Sequence, residues 1–555
     1  MNSMNSKQSS MKRDLAIGFI LFITVIAVEL LLYPILVAPT IDAAWNGTSS
    51  LGWANSAVAG RVASDPELYD LEHLHWMGRT LATRFGIVLL AGLGCWLAWR
   101  HRERFSGLLR GYFTDKDTPF NIGVFRFVVF GMMFFFVGKE ELPHYSSLPA
   151  TLHFPPVGLG PALARMPASP ELATVILVIF KTCCLFAMVG LFTRLTTILA
   201  TVLALYVFGI PQMFGKVNHN HHLVWFAAVL ASSRCGDALS VDALVRRMRG
   251  RPTPGEAIAY ALPLRIIWVL LGLIYFFPGY WKLWGGGIDW IFGDHLRYQM
   301  YHLWSTHENP TSIPWISESK FMVTLGGIAT IVFEILFIFL IFTRTTRVLA
   351  VIGGLCFHTA VGFGLRIAFH SLQLSYISLL DWRYILTRIG ILEQASSDAD
   401  QWKTLRRPTP LPTVIVGVII IVPVLFLGFK GENNGWPFAC YPRFSYPITE
   451  PERDKIEFVV TGADGRALTN CTLDEVRVKF RTARWIGLLR RTLLTKDPEL
   501  LEKRLQALYL LSDSEPADGE TVRFYRATYS TIPDDWGNPP IRRELLAEFQ
   551  VKPPS

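Results

Sequence analysis

The chain has 555 residues, of which 51% are hydrophobic and only 17% are charged, and its mean hydropathy is +0.33. A soluble enzyme of this size would carry more charge and fewer long apolar runs, so the composition indicates a polytopic helical membrane protein. The formal net charge is +9, but the basic residues gather in short loops between apolar runs. We therefore expect the lipid bilayer, and no nucleic acid, to be the partner that this charge reflects.

Apolar runs long enough to cross about 30 Å of hydrocarbon recur through residues 1–430. The sequence predicts an all-α polytopic membrane helix bundle of about eleven transmembrane helices, followed by a small α+β external domain. The predicted spans are 15–37, 80–99, 121–138, 171–193, 195–213, 221–234, 260–280, 321–343, 346–365, 367–382 and 411–429.

The positions of arginine and lysine predict the orientation of the chain. Basic clusters occur at 12–13, 100–110, 194, 246–251, 344–347 and 383–407. If the N-terminus is cytoplasmic and the chain crosses eleven times, every cluster lies inside, as the positive-inside rule requires. The same topology places the C-terminal tail outside, in the periplasm or the extracellular space.

The tail, 431–555, has a different sequence pattern from the rest of the chain. Its segments IEFVVT, VRVKF and TVRFYRA alternate as strands do, with turn residues between them. The run LRRTLLTKDPELLEKRLQALYLL predicts one amphipathic helix or two, broken at Pro498. Cys440 and Cys471 both fall in this domain, and the sequence leaves open whether they pair.

Lys282 is the most unusual residue of the membrane part, because it ends a long apolar run within the segment FFPGYWKLWGGGIDWIFG, 276–293. One interpretation is a peripheral anchor, since lysine beside tryptophan and tyrosine is common at membrane interfaces. The other is a functional group, because desolvation at the mouth of a bundle favours the neutral amine, which can act as a base. The Pro278–Gly279 pair is expected to break the helix just before the lysine.

Several histidines are predicted to lie on the same side of the membrane as Lys282. They belong to the run NHNHH, 218–222, to the loop that holds His295, and to the outer half of the ninth span, which holds His358. Such residues bind metal, titrate near neutral pH or form hydrogen bonds in a wet vestibule. A metal site needs defined spacing and supporting residues, which the sequence does not display, so we expect no metal.

A set of motifs appears in the same order as in one known family. They are NIGVFRF (121–127), LFTRLTT (191–197), NHNHHL (218–223), DALSVDAL (237–244), GYWKLWGGGIDWI (279–291) and CFHTAVGFG (356–364). The region 118–385 resembles the membrane domain of vitamin K-dependent γ-glutamyl carboxylases, and its bacterial form is called the HTTM domain. The resulting organisation is 1–117, two helices and a basic cytoplasmic loop; 118–385, the HTTM-like domain; 386–430, a cytoplasmic loop and the last helix; and 431–555, the external domain.

The resemblance implies a lyase that uses a reduced quinone of the vitamin K or menaquinol type. In that family a lysine deprotonates the hydroquinone, and Lys282 matches it. His219 or His221 corresponds to one family histidine, with the choice left open, and His358 corresponds to another. The resemblance further implies a protein or peptide substrate at the external face and a location in the bacterial inner (plasma) membrane.

Two other classes of function remain open at this stage. A non-catalytic scaffold or maturation chaperone would act through the external domain, and it would need a broad apolar surface there while Lys282 would be dispensable. A transporter or lipid-binding protein would need inverted repeats and paired broken helices, and the sequence displays neither.

Overall fold

The computed structural model describes residues 31–392 and 410–550, together with residues 17, 18, 20, 21, 23, 24 and 27. The gaps within these ranges are 67, 139–140, 216–218, 252–253, 307–310, 440–444, 446–447, 463–466, 473–481 and 512–519. The side chains of 141, 219, 467–472 and 482–483 also lie outside the description.

Eight helices in the described residues are long and apolar enough to cross a bilayer, so the chain is an integral membrane protein built on a helix bundle. They are α1 (Leu71–Arg100), α2 (Pro119–Phe136), α3 (Pro170–Val189), α4 (Thr193–Met213), α5 (Ile258–Gly286), α6 (Lys320–Leu340), α7 (Arg344–Gly364) and α8 (Leu411–Lys430). Each coincides with one of the predicted spans, and these eight predictions are confirmed.

Shorter helical segments connect the long helices and cap the bundle. They are Tyr33–Val37, Ala38–Trp45, Gly52–Ser64, Arg102–Thr114, Glu141–Ser146, Ala150–Leu152, Gly160–Leu163, His219–His221, His222–Ala231, Val241–Met248, Asp289–Phe292, His295–Trp304, Pro314–Ser317, His370–Ser375, Tyr376–Leu379 and Trp382–Arg388.

Two predicted spans are shorter in the structure than the sequence pattern indicates. The run 221–234 forms the ten-residue helix His222–Ala231, and 367–382 forms the helix His370–Ser375 followed by the 3-10 turn Tyr376–Leu379. Ten helical residues extend only about 15 Å. In the second segment, serine hydroxyls donate to backbone carbonyls, Ser375 to Ser371 and Ser378 to Ser375, which competes with regular helix. The first predicted span lies largely outside the described residues, so the count of eleven is not confirmed.

Helix α5 is the central element of the bundle, since it packs against α1, α2, α6 and α8. It continues through Pro278 to Gly286, so the predicted break at Pro278–Gly279 is wrong. The reason is packing: at Gly279 the absence of a side chain lets α6 approach so closely that an added Cβ would lie 2.9 Å from the Cβ of Glu334. Tertiary contact with α6 therefore holds the helix where local sequence predicts its end.

The C-terminal tail forms an α+β domain, as predicted. Its four-stranded antiparallel sheet has the order β4-β3-β5-β6, with β3 at Glu452–Thr461, β4 at Ala467–Thr472, β5 at Thr521–Ser530 and β6 at Arg542–Gln550. Two helices, Thr482–Leu493 and Pro498–Leu511, complete it, with the break at Pro498, and the turn Pro533–Asp535 joins β5 to β6. The predicted strand VRVKF and the Cys440–Cys471 pairing lie outside the described residues.

The C-terminal α+β domain is tied to the membrane part through backbone groups. A short parallel pair joins β1, Val157–Gly158, to β2, Gly435–Trp436. The Arg491 guanidinium donates to the Gly215 carbonyl at 3.2 Å, and Arg504 donates to the Thr151 carbonyl at 3.0 Å. These contacts dock the domain on the loops at one end of the bundle.

Candidate functional site

A cavity of about 100 Å³ lies between α5, α6, α7 and the helix His295–Trp304. Most of its wall is aliphatic or aromatic, which suits a largely apolar ligand. Seven polar side chains interrupt this wall: Tyr275, Lys282, His295, Gln299, Thr330, Glu334 and His358. Two of the sequence-predicted site residues, Lys282 and His358, therefore line the same cavity.

Lys282 forms a buried ion pair with Glu334. Its Nζ atom lies 2.5 Å from both carboxylate oxygens, and the two residues are only 4% and 6% exposed. The ring of Trp290 covers the ammonium at 5.2 Å from the ring centroid. The interpretation of Lys282 as a peripheral anchor is thus wrong, because its charge is neutralised inside the bundle and does not reach toward the interface.

Glu334 is the functional candidate that sequence reasoning missed. It lies on α6, 52 residues beyond its partner, so no local motif joins the two. A usable signal was present all the same, because Glu334 is the one carboxylate in the apolar run 321–343. An ionisable residue at membrane depth is a functional candidate by default, and its likely partner is an opposite charge on a neighbouring helix.

His295 contributes a second polar group at the Lys282 end of the cavity. Its ring lies 5.1 Å, between centroids, from the same Trp290 ring, and the side chain is 2% exposed. Its Nδ1 atom accepts a hydrogen bond from the Ile448 backbone N–H at 2.7 Å. Its Nε2 atom is buried and has no hydrogen-bond partner among the described residues.

Burial keeps His295 uncharged. Desolvation, reinforced by the nearby positive charge of Lys282, lowers the pKa of His295 to about 3. A neutral imidazole carries one proton, and a backbone amide only donates, so the proton must reside on Nε2. His295 therefore lines the cavity and carries an N–H donor that has no acceptor among the described residues.

His358 and two tyrosines form a second group of polar side chains in the cavity, at a different level along α5 from Lys282. The Nε2 atom of His358 lies 2.7 Å from the Tyr275 hydroxyl, which lies 2.5 Å from the Tyr376 hydroxyl. His358 is 3% exposed, and its Nδ1 atom has no partner among the described residues. Tyr275 is two helical turns before Lys282, so the two polar levels are about 10 Å apart along α5.

The NHNHH run does not contribute to this cavity in the way that the sequence pattern indicated. His221 is fully buried elsewhere, with its Nε2 atom 2.6 Å from the Ala439 carbonyl and its ring against Trp225 and Trp436. It joins the membrane part to the segment that leads into the C-terminal α+β domain. The side chain of His219 lies outside the described residues.

No group of three or more histidine, cysteine, aspartate or glutamate side chains is close enough to hold a metal ion in the part of the chain that the structure describes. The buried polar groups of the cavity include an ion pair and two histidines that lie at different positions along α5. This arrangement suits the binding and deprotonation of a small molecule.

The candidate site lies in a part of the chain that matches a known protein family. Residues 162–380 match the family model of the HTTM domain. Lys282, His295, Glu334 and His358 all fall within the matched residues of the HTTM domain. No curated protein and no solved structure matches the chain.

The HTTM domain is expected to lose stability in acid through His295. The unfolded-state pKa of histidine is about 6.5, and the folded-state pKa of His295 is about 3. Between these values the unfolded state binds more protons, so the free energy of unfolding falls as the pH falls. From pH 7 to pH 5 this group alone contributes a loss of about 2 kcal/mol. The measurement is thermal unfolding at both pH values, for wild type and His295→Gln.

The variant is expected to lose less stability than wild type over this range, because glutamine does not titrate. Lys282 and Glu334 line the same cavity and are unchanged in both proteins, so their contributions to the pH dependence of stability cancel in the comparison. An equal loss in the two proteins would show that His295 is not held neutral.

Proposed function

We propose that the protein is a quinol-linked enzyme whose buried Lys282–Glu334 pair removes a proton from a ring hydroxyl group. The observation that carries the proposal is the pair itself, which is 4% and 6% exposed and lines a largely apolar cavity. Burying two charges costs several kcal/mol per ion before their attraction is counted. A pair with only a packing role is readily replaced by apolar side chains, whereas a proton-transfer site needs both groups.

The lining of the cavity supports a reduced quinone of the vitamin K or menaquinol type as the ligand. Such a ligand has an apolar ring and tail, with oxygen atoms on opposite sides of the ring. The cavity offers an apolar wall with polar groups at two levels, Lys282 and His295 at one and His358 with Tyr275 at the other. When bound, a quinol supplies the oxidisable ring: with one dioxygen it yields one quinone epoxide and one water.

In the proposed step, protons move between Glu334, Lys282 and the ring hydroxyl, and their number is conserved. The pair holds one proton, which in the ion pair lies on Lys282; in the proposed step this proton first moves to the Glu334 carboxylate, which leaves Lys282 as a neutral amine. Lys282 then accepts the proton of the ring hydroxyl, so the pair holds two protons and the ammonium lies beside the anion that it has produced. The low polarity of the cavity strengthens this attraction. His358, the second matched residue of the resemblance, orients the ring at the other level.

The position of the site supports access from the outer face. Arg265 lies toward the opposite end of α5 and pairs with Asp115 at 2.9 Å. Lys282 is about 25 Å from Arg265 along the helix, which is close to the thickness of the hydrocarbon core. With a cytoplasmic N-terminus, the site opens toward the periplasmic or extracellular side of the bacterial inner membrane. A protein or peptide substrate would then meet the site beneath the external domain.

The test uses the full-length protein in detergent or lipid nanodiscs, incubated with reduced menaquinone or vitamin K under oxygen. We expect quinone epoxide, detected by mass spectrometry, from wild type and none from Lys282→Ala or Lys282→Arg. Arginine retains a positive charge for Glu334, but a guanidinium stays protonated and accepts no proton. Lys320→Ala is the matched control, because Lys320 is about half exposed at the start of α6 and lies outside the cavity lining.

Epoxide from the Lys282→Arg variant at the wild-type rate would contradict the role of Lys282 as base. If no protein forms epoxide, including a folded wild type, the quinol chemistry as a whole is contradicted.

The scaffold alternative finds little support in the external domain as far as it is described. Its edge strand β6 forms ion pairs with the inner strands β5 and β3, namely Arg523–Glu548, Arg526–Glu544 and Arg543–Glu457. The exposed large apolar residues of its described part are few, namely Leu494, Leu510, Ile541 and Leu545. A client-binding surface would need a contiguous apolar patch.

A further inference from the structure

We infer that His295 binds an oxygen atom of the cavity ligand through its Nε2–H group, and that the external domain sets this donor by fixing the tautomer of the ring. The inference rests on the proposed function and deepens it, because it names the group that holds the ligand oxygen next to Lys282. Neither the sequence motifs nor the family match assigns a role to this histidine.

The first step of the argument is the unsatisfied donor. Only 2% of the His295 side chain is exposed, and its Nε2 atom has no hydrogen-bond partner among the described residues. A buried donor without an acceptor costs about 1–3 kcal/mol. Native proteins satisfy nearly all such groups, so an acceptor from outside the chain is expected at this point of the cavity.

The second step is the identity of the donor atom. The Ile448 N–H occupies Nδ1 at 2.7 Å, which forces the proton of the neutral ring onto Nε2. Ile448 belongs to the segment that leads from α8 into β3 of the external domain. The domain therefore contributes to the site without placing a side chain in it. Its backbone N–H sets which ring nitrogen of His295 carries the proton, as a hydrogen bond to the other nitrogen does in many functional histidines.

The third step is the position of the donor relative to Lys282. Both side chains contact the ring of Trp290, at 5.2 Å for the Lys282 ammonium and 5.1 Å for the His295 ring. They thus lie at the same end of the cavity, and one ligand oxygen can meet both. When Lys282 takes the proton from that oxygen, the anion that remains is stabilised by the Nε2–H donor.

The test compares two ligands that differ only in their oxygens, 2-methyl-1,4-naphthoquinone and 2-methylnaphthalene. Binding to the full-length protein in nanodiscs is measured by quenching of tryptophan fluorescence. Two variants separate the two hydrogen bonds of the ring. In His295→Asn an amide oxygen takes the place of Nδ1 and keeps the bond from Ile448, but the cavity donor is lost. In His295→Gln an amide nitrogen takes the place of Nε2 and keeps the donor.

We expect His295→Asn to bind the quinone at least tenfold more weakly than wild type, and His295→Gln to bind it within about threefold, by the usual size of one hydrogen bond. All three proteins should bind the hydrocarbon equally. Equal weakening of both ligands in His295→Asn would show that His295 only shapes the cavity, and no weakening would show that it makes no contact. Either result overturns the inference and leaves the proposed quinol chemistry standing.

A measurement on the wild type keeps the inference testable if a variant does not fold. Nitrogen-15 labelling of histidine, with assignment by comparison to His295→Gln or by distance to Trp290, reports which ring nitrogen carries the proton. We expect the neutral Nε2–H form at pH 7, and an Nδ1–H form or an imidazolium would overturn the inference. A wild type that binds the quinone but forms no epoxide would contradict the proposed reaction and leave the His295 contact intact; a wild type that binds no quinone would contradict both.

Discussion

Replacing either member of the Lys282–Glu334 pair is expected to destabilise the protein by about 3–5 kcal/mol, whereas replacing both restores most of the loss. The single variants Lys282→Met and Glu334→Leu each leave one buried charge without its partner, at 6% and 4% exposure respectively. The double variant removes both charges and fills the space with apolar side chains of similar volume. The measurement is the midpoint of thermal unfolding of the three variants and wild type in the same detergent.

Activity is expected to behave differently from stability across this set. All three variants should form no quinone epoxide, because each lacks the lysine base or the carboxyl group that holds its proton. The recovery of stability in the double variant without recovery of activity would show that the pair serves chemistry and not the fold. A double variant no more stable than the single variants would contradict the buried ion pair.

The long helices were predictable because their signal is local. An apolar run of about 20 residues specifies a membrane helix whatever surrounds it, and the eight confirmed spans are of this kind. The two shorter segments were not predictable, since most of their apolar residues are buried inside the bundle. All but one residue of His222–Ala231 is buried, so its hydropathy reports a protein interior.

The candidate site was predictable only where a single residue broke its local pattern. Lys282 and His358 stand out in apolar runs, and both line the cavity. His295 gave no such signal, because its role depends on the Ile448 amide, 153 residues away. His221 gave a misleading signal, since the histidine-rich run places that ring against the Ala439 carbonyl and not in the cavity. The position and role of both histidines depend on a hydrogen-bond partner that is distant in sequence.

Gly279→Val is expected to destabilise the protein by about 3 kcal/mol and to lower activity strongly. An added Cβ at this position would lie 2.9 Å from the Cβ of Glu334 and 3.0 Å from Cγ1 of Ile335, so α6 must move away from α5. Since Lys282 lies on α5 less than one turn beyond Gly279, this movement separates the ammonium from the carboxylate. The measurements are thermal unfolding and epoxide formation on the same preparation.

The matched control is Gly92→Val on α1, where an added Cβ meets no atom within 4 Å. Both substitutions change the intrinsic helix propensity by the same few tenths of a kcal/mol, which is favourable, so the difference between them isolates the contact between α5 and α6. A Gly279→Val variant as stable and as active as Gly92→Val would show that the helices are not in close contact at this point. A loss confined to Gly279→Val would mean that a residue without a side chain brings the proton-transfer pair together, since it sets the distance between the helices that carry the lysine and the glutamate.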